Sequence, residues 1–471
     1  MGNYKRLLSN TAILGAGTFL SKVLVLLLMP FYTSILSTSE FGTADLISQT
    51  ANLLIPLAAV GICDGIFRFT LDSGTDQKRI LSTGMAILTC GSVALCGVIQ
   101  LLRLFSFFDG YVMLIALYVI AANFHSAFAG YIRAQGRTTL FAVQGIINTV
   151  LTIGLNILFL AVFDMGSTGY VLSVVVADSI LAILLFFIAG LYRDISPRRV
   201  SGETAKEMLK FSIPYIPTTV MWLITSVSDR YVVTAFCGES ENGLYAAAYK
   251  LPTLLSLVSG VFVEAWHFST VKDASEEEKS SFFGTVYVNF MSVMFMGASV
   301  LIAGSKIFTG ILLADSYYAS WRFVPILVIA TTFSTLVSFL GSVYFLKKKS
   351  TLSMLTAMAG AVINVILNFV LIPDHGALGA AVATMISYAA VYVIRGYDTA
   401  KYLKFPLHTI RVSINGLLLL GQAILMMLEP PYWGIMQIGI LAVMLIFNGK
   451  GIFLTVTRIL KRFFGKKQKN F

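Results

Sequence analysis

An all-α integral membrane protein is the fold class this sequence predicts. It reads as about fourteen transmembrane helices: two six-helix lobes related by a pseudo-two-fold, then two C-terminal helices. Three observations carry that reading. The chain is 57% hydrophobic and only 12% charged, against about 25% charged in a soluble domain. Apolar runs of membrane length recur along almost the whole chain. The motifs of the first half also return, in the same order, in the second.

Taken in order, the spans read as 10–36, 41–67, 80–102, 111–133, 139–163, 168–191, 207–236, 243–270, 282–304, 318–346, 351–372, 377–397, 406–428 and 432–457. Each has about the 20 residues that a tilted helix needs to cross the hydrocarbon core. The first run has no small-residue cleavage site and is long enough to span, so it is expected to be a helix rather than a removable leader. MGNYKR lacks the Ser/Thr of a myristoylation signal, and the last residues form no prenylation box. The linker YRDISPRRVSGETAK (192–206) is the expected boundary between halves. The expected units are 1–200 for the N-terminal lobe, 201–402 for the C-terminal lobe, and 403–471 for the last two spans with a basic tail.

The charges orient these spans. With both termini in the cytoplasm, Arg103, Lys306 and Arg322 fall outside, and Lys22, Arg230 and Lys250 fall within spans. All the other lysines and arginines, Arg395 and Arg411 among them, fall on the inner side. The net charge of +11 is therefore read as membrane topology and not as a nucleic-acid surface. The tail KRFFGKKQKNF reads as a contact with anionic lipid. Cys63, Cys90, Cys96 and Cys237 form no CxxC pair and read as core residues, and no phosphate-cradling loop occurs. No cofactor, metal or ATP is expected.

The repeat is specific in three places. STSEFGTADLIS (37–48) matches CGESENGLYAAAY (237–249), with Gly42 over Gly243 and Glu40 over Glu241. YIRAQGRTTLFAV (131–143) echoes YFLKKKSTLSML (344–355). LNILFLAVFDMGSTGYVLS (155–173) echoes LNFVLIPDHGALGAAVAT (367–384), with Asn156 over Asn368 and Gly169 over Gly379. A repeat of six helices, an even number, keeps both copies in one orientation and predicts a cavity at their interface.

Several of these stretches carry a family likeness: the Ser-Glu-Phe-Gly turn at 39–42, Gly-Ile-Cys-Asp-Gly-Ile-Phe-Arg at 61–68, and Tyr-Ile-Arg-Ala-Gln-Gly-Arg at 131–137. Ser-Asp-Arg-Tyr-Val-Val at 228–233 and Ser-Glu-Asn-Gly-Leu-Tyr-Ala-Ala-Ala-Tyr-Lys at 240–250 share it. Through its first twelve spans the chain resembles the Wzx-type polysaccharide-biosynthesis flippases of the multidrug/oligosaccharidyl-lipid/polysaccharide exporter superfamily. The resemblance implies two lobes forming a V that opens alternately to each side. It implies a polyprenyl-pyrophosphate-linked oligosaccharide as cargo, and a groove for the polyprenyl tail at the last two spans. It also implies a place in the bacterial plasma membrane, with polysaccharide polymerase and glycosyltransferases as neighbours.

A flippase breaks no covalent bond, so the chain is expected not to be an enzyme. It must give a pyrophosphate and a polar glycan a wet, cationic path through hydrocarbon. Lysine and arginine suit that path because phosphate oxygens accept charge-assisted hydrogen bonds. The candidate cargo-binding residues are Lys22, Arg68, Arg230 and Lys250. Lys22 lies deepest and is the strongest of them. Arg68 either meets the head group or pairs with Asp64 or Asp72 one turn away. Lys250 either lines the path or snorkels outward. Asp229 and Arg230 are neighbours about 100° apart on a helix, so one is expected to face cargo and the other a partner helix. Arg230 is the expected cargo residue.

Coupling to a gradient of H+ or Na+ would fall to Asp64, Asp178, Asp229 and Glu264, with His267 beside Glu264. The competing reading for Glu264 and His267 is a structural hydrogen bond at a helix end. His125 reads as a core histidine. Pro30, Pro56, Pro214, Pro217, Pro252 and Pro325 interrupt spans and are candidate bending points. Two other functions remain open: a flippase for a peptidoglycan precursor or a sporulation lipid, and a cation-coupled multidrug exporter. The second fits poorly, because drug exporters usually need twelve spans and handle cations, which acidic cavities suit better.

Overall fold

The computed structural model describes residues 23–24, 26–72, 76–269, 276–347 and 349–464. Lys22, most of the first expected span, and the tail 465–471 lie outside them. Among the described residues the fold is helical throughout. Eight helices are long and apolar enough to cross a membrane, and one bent pair raises the number to nine. The chain is a multi-pass membrane protein.

Packing divides it into two compact units: 1–234 with 238–243, and 235–237 with 244–471. The expected boundary linker at 192–206 is packed inside the first unit. Its backbone groups are used there, Ser201 N–H donating to Thr83 Oγ1 at 3.2 Å and Ser82 Oγ donating to the Asp194 carbonyl at 3.1 Å.

The first unit opens with α1 (Met29–Ile35) and α2 (Thr38–Ala58). Ser37 and Glu40 form a complete capping box at the start of α2, which satisfies two N–H groups of its first turn. Pro56 weakens the end of α2, and Val60 and Gly61 both take positive φ, so α3 (Ile62–Thr70) leaves at a 55° bend. The Asp76 side chain caps α4 (Gln77–Val98). Then come α5 (Val112–Ala134), α6 (Thr138–Asn156) and α7 (Gly166–Ile188), with α6 running into a π-helical turn at Ile157–Val162. After α8 (Gly202–Ser212), α9 (Ile216–Cys237) and α10 (Glu239–Ala248) lead across the boundary. Two apolar clusters hold the unit: Ile62, Ile66, Leu81, Tyr131 and Met208, and Leu46, Ile115, Val119 and Val171.

The second unit holds α11 (Thr253–Ser269), α12 (Glu276–Ala303), α13 (Ser305–Leu312), α14 (Val324–Leu346), α15 (Ser350–Thr399), α16 (Thr409–Leu428) and α17 (Trp433–Phe464). Pro373 and Gly376, the latter at φ 57° and ψ −145°, break α15 into two legs that fold back on each other. Asn364 on the first leg donates to Thr384 on the second at 3.2 Å, and Arg395 reaches Thr356 at 2.9 Å.

Arg395 is not a loop charge. Expected on the inner loops, it is 2% exposed. Its guanidinium donates to Thr356 Oγ1, the Val337 carbonyl and the Ser353 carbonyl, and lies over the Tyr344 ring. A buried guanidinium is tolerable only when its donors are used, and these tie α14 to both legs of α15. Arg411 likewise points inward, to Ser292 at 2.9 Å and the Phe447 carbonyl at 2.7 Å. With Asn415 and Asn448 exchanging side-chain hydrogen bonds, and Ser299 donating to Gln422 at 2.7 Å, α16 and α17 are fastened to α12 by a polar ladder.

The repeat shows in equivalent local work. Asn156 and Asn368 each donate one turn back, to the Thr152 carbonyl at 2.9 Å and to Asn364 Oδ1 at 3.1 Å. A Cβ on Gly379 would lie 2.5 Å from the Leu371 carbonyl oxygen of the preceding leg, and one on Gly169 would lie 2.8 Å from the Met165 Cβ and 3.2 Å from Phe159 of the preceding span.

Candidate functional site

Two of the expected site residues meet in the first unit. Asp229 is 0% and Arg230 5% exposed, in the last third of α9. The Arg230 Nε donates to Asp45 Oδ2 at 2.7 Å, and its Nη1 lies 3.4 Å from Asp229 Oδ1. The expectation that neighbours on a helix must serve different faces is corrected. The arginine side chain is long enough to return past its own backbone to Asp229 while reaching across to α2. Asp45, 8% exposed, was missed because it lies one turn inside an apolar run, close to the expected outer turn.

The physical consequence concerns what Arg230 can offer. Two carboxylates and one guanidinium share a buried site within helices of membrane length, where an unpaired charge is costly. In this structure Arg230 is held by those carboxylates and does not lie open to cargo. Next to it, Thr50 donates to the Leu46 carbonyl at 2.7 Å, so its remaining capacity accepts the Tyr231 hydroxyl at 2.8 Å. The charge pair and the hydroxyl pair together fix α9 against α2.

At one end of this contact the two copies of the repeated turn touch. A Cβ on Gly42 would lie 2.0 Å from the Glu239 carbonyl oxygen, and one on Gly243 would lie 1.8 Å from the Thr38 carbonyl oxygen. Only glycine permits that crossing. Around it, Asn242 Nδ2 donates to the Gly42 carbonyl at 2.9 Å, Ser39 to Glu239 at 2.9 Å, and the Thr38 and Ser240 hydroxyls lie 2.7 Å apart. Residues aligned by sequence as counterparts are thus partners in space.

A second polar site lies between α5, α6 and α7. His125 Nδ1 is 2.9 Å from Asp178 Oδ1, its Nε2 is 2.7 Å from Gln144 Oε1, and Asn148 Nδ2 donates to Asp178 at 3.1 Å. Both ring nitrogens face oxygen acceptors, an arrangement that a doubly protonated ring satisfies as it stands; a neutral ring needs the Gln144 amide turned over. The histidine expected to be an isolated core residue is thus joined to Asp178, which side-chain spacing in sequence does not reveal.

The other expected residues are scattered. Arg68 is exposed near the end of α3 and pairs with Asp72. Asp64 is exposed in the first turn of α3. Lys250 is half-buried in the break between α10 and α11, next to Pro252. Glu264 and His267 fall on α11, but their side chains lie outside the described residues.

Residues 7–267 match the family described as polysaccharide biosynthesis protein. Comparison with functionally characterised proteins gives no significant sequence match. Among solved structures, the chain is similar to the lipid II flippase MurJ in an inward closed conformation, at 15% identity and a TM-score of 0.70, covering 96% of this chain and 99% of that one. An inward-facing multidrug-resistance MATE transporter of the MOP superfamily aligns at 14% identity and a TM-score of 0.65, over 81% of this chain and 95% of the other. A MOP superfamily transporter from Pyrococcus furiosus aligns at 12% identity and 0.54, over 83% and 95%.

Proposed function

The chain belongs to the polysaccharide biosynthesis protein family, and from that premise we propose that it is a flippase for a polyprenyl-pyrophosphate-linked oligosaccharide. It carries the repeat unit of a polysaccharide from the cytoplasmic to the outer leaflet of a bacterial plasma membrane, by alternating access, with both termini in the cytoplasm. Polymerase and glycosyltransferases are its expected neighbours. The observation that carries this reading is chemical: the sequence of a chain of this family sets Lys22 within a membrane-length apolar run and Lys250 at the break between α10 and α11, where a travelling pyrophosphate would repay their desolvation. The broader alignment with the lipid II flippase than with the multidrug transporter, 96% against 81% of this chain, favours a flippase over a drug exporter.

The test is translocation in proteoliposomes loaded with a polyprenyl-pyrophosphate glycan, read by accessibility of the glycan to an external modifying enzyme. Lys22→Ala is expected to lower the rate roughly ten- to a hundredfold, the loss of one charge-assisted hydrogen bond, while the protein still accumulates in the membrane. Wild-type rates from a well-expressed Lys22→Ala protein would remove Lys22 from the path.

A proton gradient is the proposed drive, and His125 with Asp178 the proposed carrier of the proton. Imposing a pH difference should speed translocation by the wild type. Asp178→Asn should abolish that acceleration and leave a slow, gradient-independent rate. A variant that still responds fully to the gradient would place coupling elsewhere, and a sodium gradient is the next drive to test.

A further inference from the structure

The second unit contains a groove with a chemistry unlike its surroundings. It has a volume of about 370 Å³ and lies between α11 and α14, lined by Ser256, Ser259, Gly260 and Val263 on one helix and Ser334, Thr335 and Ser338 on the other. That volume lies within the roughly 300–1,000 Å³ range of small-molecule sites. Positions 256, 259 and 260 share one helical face, as do 334, 335 and 338. By contrast, the grooves near Phe124 and near Phe333 are lined almost wholly by hydrocarbon, as lipid-facing surfaces are.

The hydroxyls divide into two kinds. Thr335 donates to the Thr332 carbonyl at 2.7 Å and Ser338 to the Ser334 carbonyl at 3.0 Å, so what they have left to offer is acceptor lone pairs. Ser259 is 4% exposed and lines the groove, and Ser256, one turn before it, is exposed; neither hydroxyl makes a hydrogen bond among the described residues. The Ser259 hydroxyl opens into the groove from an otherwise covered residue, so its hydrogen bond is left to whatever enters there. A Cβ on Gly260 would meet nothing within 4 Å, so the groove is open there. Behind it, Phe262 stacks on Phe290 at 4.7 Å between centroids, and Phe290 on Phe339 at 5.4 Å, which holds the two walls in place.

We infer that this groove receives a sugar ring of the cargo and is where the protein selects among glycans. The inference rests on the flippase reading. The chemistry chooses the occupant: the described residues that line the groove carry no charge, so they offer neither a phosphate nor a metal cation a counter-charge. An acyl or polyprenyl chain would leave the hydroxyls unsatisfied. A neutral polyol, which donates and accepts at every ring position, meets free donors on α11 and lone pairs on α14.

The test uses the full chain in nanodiscs and defined probes: undecaprenyl pyrophosphate without sugar, and the same lipid bearing one glucose, galactose, N-acetylglucosamine or N-acetylgalactosamine. At least one sugar-bearing probe should bind roughly tenfold or more tighter than the bare lipid, the worth of two neutral hydrogen bonds. Ser259→Val combined with Ser338→Val should reduce that preference to none, with an unchanged melting temperature as evidence of folding. Ser259→Thr, which keeps the hydroxyl, should preserve it. A wild type with no sugar preference, or a preference that survives the double valine variant, overturns the inference. If no polyprenyl-pyrophosphate probe binds at all, the flippase reading itself falls, and this inference with it.

Discussion

Arg230→Glu should destroy transport and destabilise the first unit more than any other single change in it. The substitution would bury three carboxylates, at positions 45, 229 and 230, where Arg230 now answers two of them at 2.7 and 3.4 Å. Breaking a buried ion pair from one side costs about 3–5 kcal/mol, because the partner is left charged in a medium that does not solvate it. Arg230→Ala should fall in that range, and Arg230→Glu should exceed it through added repulsion. The measurement is the melting temperature in detergent or nanodiscs, taken together with translocation. Asp45→Asn should recover part of the stability lost in Arg230→Ala, since it removes an orphaned charge. If Asp45→Asn and Arg230→Ala were simply additive, the two side chains would not be partners. Full transport by an abundant Arg230→Glu protein would show that this ion-paired site has no bearing on transport.

Next in size is the effect of a side chain at the glycine crossing. Gly243→Ala places a methyl group 1.8 Å from the Thr38 carbonyl oxygen, and Gly42→Ala places one 2.0 Å from that of Glu239. Neither obstacle is a flexible side chain; both are backbone, so the two helix starts must separate. Overpacking typically costs about 1–3 kcal/mol and can exceed that where backbone must move. Separation also breaks the Asn242-to-Gly42 hydrogen bond of 2.9 Å and the hydroxyl contact between Thr38 and Ser240. A disulfide reports the distance directly. In a background without the four native cysteines, Thr38→Cys with Ser240→Cys should crosslink readily, and adding Gly243→Ala should suppress the crosslink. Undiminished crosslinking, with an unchanged melting temperature, would mean that the crossing is looser than its geometry states.

How far the sequence alone reveals this molecule depends on the distance over which each signal acts. Helix positions follow from apolar run length, a local property, and the eight described helices of spanning length fall where hydropathy puts them. The duplication is also legible, because Gly42 and Gly243, or Asn156 and Asn368, do the same local work in both copies. Contacts between distant spans are a different matter. Asp45 and Arg230 are 185 residues apart, and nothing in the spacing of apolar residues says which span an arginine will meet. Arg395 misleads for a related reason: near a span end, a charge in a loop and a charge buried against Thr356, Val337 and Ser353 have the same local sequence. Serines raise the opposite difficulty. Ser256, Ser259, Ser334 and Ser338 are ordinary in any helix, and only their convergence on one groove makes them a chemical surface.

The central claim, that the cargo is a polyprenyl-pyrophosphate glycan, is tested most directly by depleting the protein in its own host and analysing the lipid-linked intermediates that build up. The account predicts an undecaprenyl-pyrophosphate oligosaccharide, complete as a repeat unit and confined to the cytoplasmic leaflet. Accumulation of a lipid carrying a peptidoglycan pentapeptide would contradict it in favour of a cell-wall precursor. Unchanged lipid intermediates with new sensitivity to cationic drugs would contradict it in favour of an exporter.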